Sequence, residues 1–190
     1  MPETLRAFIA VPMPDAVTAF LKDVQTRLRA NRLNIRWVPA QNVHLTLKFL
    51  GDIDPSMVPE IAVRMDAAAG TMQPFSLTPG GVGVFPNLRQ ARVVWVGLTG
   101  HIDRLHQLHQ TIETGLAEAG FDRDKRAYRA HLTIGRTRQR MPAQDVIAML
   151  APMQDAVADP FKVDRLTLYR SILKPAGADY HRLHTSVLTG

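Results

Sequence analysis

The tetrapeptide His44-Leu45-Thr46-Leu47 recurs 87 residues later as His131-Leu132-Thr133-Ile134. In an extended strand, successive side chains point to opposite faces. Each histidine therefore shares a face with its threonine, while Leu45, Leu47, Leu132 and Ile134 share the other. Each copy reads as a half-buried strand whose apolar side enters a core. Its polar side presents an imidazole and a hydroxyl about 7 Å apart, a spacing that suits one small anion held between them.

The surrounding periodicity predicts an α+β chain. Arg6 to Val11 reads as a strand. Pro14-Asp15 then opens an amphipathic helix with Val17, Phe20, Leu21, Val24 and Leu28 on one side. The first motif strand is expected over about 43–50, stopping at Gly51, and Asp54-Pro55 caps a second helix ending near Gly70. From Phe75 to Leu98 come short antiparallel strands broken by Pro79-Gly80-Gly81 and Pro86-Asn87. A third helix, about 101–119, carries Ile102, Leu105, Leu108, Ile112 and Leu116 and closes at Gly120. The second motif strand, about 130–137, precedes a short helix near 143–150. Two strands around the turn Lys174-Pro175-Ala176-Gly177 end the chain. Each motif strand follows a helix and precedes another, so the repeat predicts an internal duplication within one domain spanning residues 1–190.

At 190 residues the chain can bury one good core or two halves sharing a core. No run approaches the roughly 20 apolar residues of a membrane span, and the first residues lack a secretory pattern, so a cytoplasmic protein is expected. The absence of cysteine excludes disulfides, thiolate ligands and a cysteine nucleophile. A net charge of +6 fits an anionic partner such as RNA, although many basic proteins bind nothing anionic. The basic residues Arg123, Lys125, Arg126 and Arg129, and the run Arg136, Arg138, Arg140, flank the second motif.

A single histidine on a strand is more often structural than catalytic, but two His-x-Thr units reverse that reading. Two imidazoles near one anion can divide acid-base work, one neutral and one protonated. Phe49 and Arg136 both lie five residues after their histidines. Strict alternation turns them away from a cleft, unless a bulge near the strand end re-aims them. Arg136 is expected to contact phosphate or a base face. Phe49 either stacks on a base or packs in the core. Lys48 shares the His44 face by parity and is expected to be solvated. His101, His106 and His109 fall on one helix without a recognised zinc arrangement, so no metal site and no cofactor are expected. Gly80-Gly81-Val82-Gly83 lacks the Gly-Lys-Ser/Thr of a phosphate loop and reads as a turn bordering a strand. Tyr180-His181-Arg182-Leu183-His184 in the last strand is placed to line a cleft, although alternation allows at most one of His181 and His184 to reach it.

Residues 44–51 (His-Leu-Thr-Leu-Lys-Phe-Leu-Gly) and 131–136 (His-Leu-Thr-Ile-Gly-Arg) resemble the paired motifs of the 2H phosphoesterases. More narrowly, the chain is similar to the RNA 2′,3′-cyclic phosphodiesterase branch, historically called 2′-5′ RNA ligase. The likeness extends to residues 6–11, 85–89, 92–97 and 168–171. Ala130 departs from the family's usual proline before the second histidine, which bears on rigidity more than on chemistry.

The resemblance implies two pseudo-symmetric lobes of antiparallel sheet with helices outside and a central groove. It also implies metal-independent hydrolysis of RNA 2′,3′-cyclic phosphate ends to 2′-phosphomonoesters, reversible in the ligating direction, by a monomer. On that likeness His44 is the proton donor and His131 the acceptor; Thr46 and Thr133 bind non-bridging phosphate oxygens. Two rivals stand beside it: an enzyme for another small cyclic phosphate, such as a cyclic nucleotide, and a basic RNA-binding module with an inert pocket.

Overall fold

A computed structural model describes residues 4–175 and 177–190, which form nine strands and four α-helices. The first sheet contains β1 (Leu5–Pro12), β3 (His44–Ile53), β8 (Arg165–Lys174) and β9 (Gly177–Val187), in the order β3-β1-β8-β9. The second contains β2 (Arg36–Trp37), β4 (Phe75–Phe85), β5 (Val93–Gly100), β6 (Leu132–Arg136) and β7 (Phe161–Val163), in the order β2-β6-β5-β4-β7. Every pairing within them is antiparallel. The two motif strands thus fall in different sheets of an α+β fold.

The helices follow their apolar stripes. Helix α1 (Asp15–Arg29) buries Val17, Leu21, Val24 and Leu28, and α2 (Val58–Gly70) buries Ile61, Met65 and Ala68. Helix α3 (Ile102–Glu118) buries Leu105, Leu108, Ile112 and Leu116, while α4 (Ala143–Leu150) buries Val146 and Met149. Asp54 caps the turn before α2 by accepting from Ser56 N at 2.8 Å. No helix among the described residues is long and apolar enough to cross a membrane.

The expected apolar sides of both motif strands are buried: Leu45 and Leu132 are each 0 % exposed, in one cluster with Ile9, Leu47 and Ile134. Burying each such side chain stabilises the fold by about 1.5–3 kcal/mol relative to exposure. Helix α1 packs over the second sheet, where buried Gln25 Nε2 donates to Val38 O (2.6 Å) and Ile134 O (2.9 Å). Helix α2 packs on β8 and β9, and α3 on α2 and β3.

Three expected boundaries shift. The Pro79-Gly80-Gly81 segment does not break the chain into short strands, nor do Gly80 to Gly83 border one. All lie inside the single strand β4, where Gly81 takes φ +66° at a register shift. Gly83 leaves room for an indole, since a Cβ there would lie 2.2 Å from the Trp95 ring. Strand β3 does not stop at Gly51; it passes through that residue at φ +74° and ends at Ile53. Strand β6 is shorter than expected and begins one residue after His131. Ala176, in the turn before β9, lies outside the described residues.

Candidate active site

Each motif strand carries a β-bulge at the same offset from its histidine. In β3, Ala10 faces Thr46 and Ile9 faces Lys48, which leaves Leu47 as the extra residue; a second shift leaves Leu50 extra. In β6, Trp95 faces Thr133 and Val94 faces Gly135, leaving Ile134 extra. A bulge reverses the parity of everything beyond it. Phe49 is therefore aligned with Phe8 and Arg136 with Val93, on the faces of the two threonines. Phe49 is 59 % exposed, so it does not pack in the core. Gln25 and Val38 N both bond the carbonyl of Ile134, fixing the second bulge.

The same parity reversal moves Lys48. Instead of standing solvated beside His44, it is 3 % exposed on the core side, with its ammonium 2.7 Å from Glu113 and 3.1 Å from Asp124. His109, Glu113 and Asp124 bring ligating atoms within 4.8 Å of one another. The Lys48 ammonium already supplies a cation to both carboxylates.

The two imidazoles are held alike. His44 Nδ1 lies 2.9 Å from Asn42 O, and His131 Nδ1 lies 2.7 Å from Arg129 O, in each case the carbonyl two residues back. A carbonyl only accepts, so each Nδ1 carries a proton and the neutral ring keeps its lone pair on Nε2. Burial lowers the His44 pKa to about 4; the bond to Asn42 opposes this, and the Arg136 guanidinium adds to it. His131 is lowered for the same reasons, burial first, with the Arg129 carbonyl opposing and Arg136 adding. Arg136 acts on both imidazoles and also on Tyr180. Strands β3 and β6 approach each other across the two sheets.

Aromatic rings complete the surroundings. Phe8 stacks on His44 with ring centroids 4.5 Å apart, and Tyr180 meets the same imidazole edge-on at 5.2 Å. Tyr169 stacks on Phe8 at 5.3 Å. Beside the second motif, Phe85 meets His131 edge-on at 5.0 Å. The β8–β9 hairpin reaches back over the first sheet, and Asn42 Nδ2 donates to Ala178 O at 2.8 Å. Sequence reasoning passed over Phe8, Tyr169, Asn42 and Phe85 as site residues, and in the cleft-lining segment from Tyr180 to His184 it weighed only the histidines, whereas Tyr180 is the ring that meets His44. Alternation along β1 does place Phe8 on the face of Ala10, but nothing local brings Tyr180 to His44.

Other histidines serve packing. His184 Nε2 and Ser186 Oγ contact Asp66 Oδ1 at 2.8 and 2.6 Å, tying β9 to α2, and His181 lies 3.3 Å from Asp179. His101 Nδ1 meets the backbone of Ser76. Two concavities of about 600 Å³ flank the fold, one by Phe49, Met57 and Phe121 and one by Val84, Leu88 and Leu150. Neither is lined by His44 or His131.

A family model for the 2′-5′ RNA ligase superfamily matches residues 13–174, which include both motif strands. The chain belongs to the 2′-5′ RNA ligase superfamily. Within the superfamily, an RNA 2′,3′-cyclic phosphodiesterase of Methanothermobacter thermautotrophicus is 31% identical over 177 residues, covering 93% of this chain and 95% of the relative. One of Archaeoglobus fulgidus is 32% identical over 179 residues, covering 94% and 98%. The same superfamily fold is seen in TT0787 of Thermus thermophilus, with TM-score 0.81, 27% identity and coverage of 97% and 98%. It is seen also in E. coli LigT complexed with 3′-AMP, with TM-score 0.74, 26% identity and coverage of 99% and 100%.

Proposed function

We propose that this chain hydrolyses RNA 2′,3′-cyclic phosphate ends to 2′-phosphomonoesters, using His131 as the proton acceptor and His44 as the proton donor. One observation carries the reading: two imidazoles on separate sheets, each with Nδ1 committed to a carbonyl, share the influence of a single arginine. The names of the relatives support the substrate class, and the LigT complex with 3′-AMP supports a fold that binds a nucleoside monophosphate.

In the reaction, His131 Nε2 takes a proton from water as its oxygen bonds phosphorus. The bond from phosphorus to the 3′-oxygen breaks in line, and His44 Nε2 protonates that oxygen. Both histidines then exchange protons with solvent to reset. Thr46 and Thr133 hydroxyls donate to the non-bridging oxygens, and Arg136 offsets the growing charge. Phe49 stacks on a neighbouring base. The matched bulges support reading the two motif strands as copies within one domain.

Burial leaves His44 neutral at pH 7, so the donor has to acquire its proton together with the substrate. A phosphate anion beside a buried imidazole does this, because the low dielectric that disfavours a lone cation strengthens an ion pair. The test is His44→Ala and His131→Ala on an oligonucleotide ending in a 2′,3′-cyclic phosphate. Each variant is expected to lose at least about 100-fold in kcat while staying folded. Near wild-type turnover in either would contradict the assignment.

A further inference from the structure

Residues 121–131 have no regular secondary structure, yet they are fastened to β3 twice before they deliver His131. The first fastening is Lys48. Its ammonium donates to Asp122 O at 2.8 Å and Asp124 Oδ1 at 3.1 Å, and it is ion-paired with Glu113 Oε1 at 2.7 Å. Glu113 on α3 grips the same segment through its other oxygen, which accepts from Asp124 N at 2.9 Å. The second fastening is Tyr128, whose hydroxyl donates to Thr46 O at 3.1 Å. Its ring lies flat on His109, with centroids 4.1 Å apart and planes 13° apart. One residue further on, Arg129 O holds His131 Nδ1.

The backbone of Thr46 in one sheet and the imidazole of His131 in the other are therefore linked by a tyrosine side chain and a single step of chain. A buried ion pair is a weak source of stability, since a well-packed apolar pair of similar volume does as well. What Lys48 adds over such a pair is direction, because its contacts hold a particular carbonyl and carboxylate in place.

We propose that residues 122–129 form a strap that sets the separation and orientation of the His44–Thr46 and His131–Thr133 pairs, with Lys48 and Tyr128 as the positioning residues that fasten it. This deepens the two-histidine reading above and rests on it.

Two variants test the strap. Tyr128→Phe removes one oxygen and keeps the ring stack. The double variant Lys48→Met, Glu113→Leu replaces the ion pair by apolar bulk, since Lys48→Ala alone would strand a buried carboxylate. Both are expected to keep wild-type thermal stability and a KM within about twofold, while kcat falls between about tenfold and 100-fold from misplacement of groups that must be aligned. The substrate-free protein supplies a second reading: the His131 imidazole resonances in ¹⁵N NMR should shift in both variants. Unchanged kcat and unchanged His131 resonances in folded variants would overturn the strap. So would a loss of kcat that merely tracks a loss of stability with those resonances unmoved. If the wild type turns over no cyclic phosphate and the resonances still move, the strap stands and the proposed reaction falls.

Discussion

Leu47 and Ile134 are equivalent residues in different sheets: each is the extra residue of a β-bulge, three positions after a motif histidine. The bulges let strands with buried undersides carry three groups rather than two on the face away from the core, His44, Thr46 and Phe49 on one strand and His131, Thr133 and Arg136 on the other. Without them, Arg136 would point into the core with Ile134.

The second bulge depends on Gly135. A Cβ there would lie 2.7 Å from Ile35 Cγ2 and 3.2 Å from the Trp37 ring. Gly135→Ala is expected to destabilise by about 1–3 kcal/mol through overpacking, and to lower kcat/KM further by displacing Arg136. Gly70→Ala is the control, because a Cβ there meets nothing within 4 Å. Urea unfolding and steady-state kinetics on the two variants measure the contrast.

Protonation of His44 links activity to pH. The imidazole falls from an ordinary value near 6.5 to about 4 in the fold, and His131 is lowered too. A base and an acid drawn from this pair give a bell-shaped kcat/KM profile whose optimum lies below pH 6.5. Bound anionic substrate raises His44, so the kcat profile should sit at higher pH. Coincident profiles, or an optimum well above pH 7, would contradict the proton assignment.

The same shift affects stability. The unfolded chain takes up the His44 proton near pH 6.5, whereas the folded protein resists until about pH 4. Stability is therefore lost as pH falls from about 6.5 to about 4, and the loss levels off below that. His44→Gln should flatten this part of the stability curve, by on the order of 2–3 kcal/mol, in urea titrations across the window.

The hydroxyls are tested one at a time. Thr46→Val and Thr133→Val keep the shape of each strand and remove a donor. Each is expected to cost about 2.7–4 kcal/mol of transition-state stabilisation if the donor acts on developing phosphate charge. The loss should appear in kcat more than in KM.

Much of the fold was legible because it depends on local periodicity. The buried stripes of α1 and α3 were readable from spacing, as were the positions of α2 and α4 and the apolar undersides of the motif strands. Parity, however, was carried too far along β3. A bulge arises from pairing with β1 and from the grip of α3 on Lys48, neither of which leaves a mark in residues 44–51. That is why Lys48 read as solvated and Phe49 remained divided between base and core. Pro79-Gly80-Gly81 read as a break because an edge or bulge position that tolerates these residues is known only once β4 has its partners. The last strand was legible as a cleft-lining segment, but not which of its side chains does so: the curl of the β8–β9 hairpin brings Tyr180 to a histidine 136 residues away.

The product of the reaction bears most directly on the central claim. An RNA oligonucleotide ending in a 2′,3′-cyclic phosphate, incubated with the wild-type protein in excess chelator, should be converted to the 2′-phosphomonoester. Phosphorus NMR or chromatography against authentic 2′ and 3′ standards distinguishes the two products. A 3′-phosphomonoester, or turnover that requires an added metal ion, would contradict in-line departure of the 3′-oxygen driven by His44 and His131.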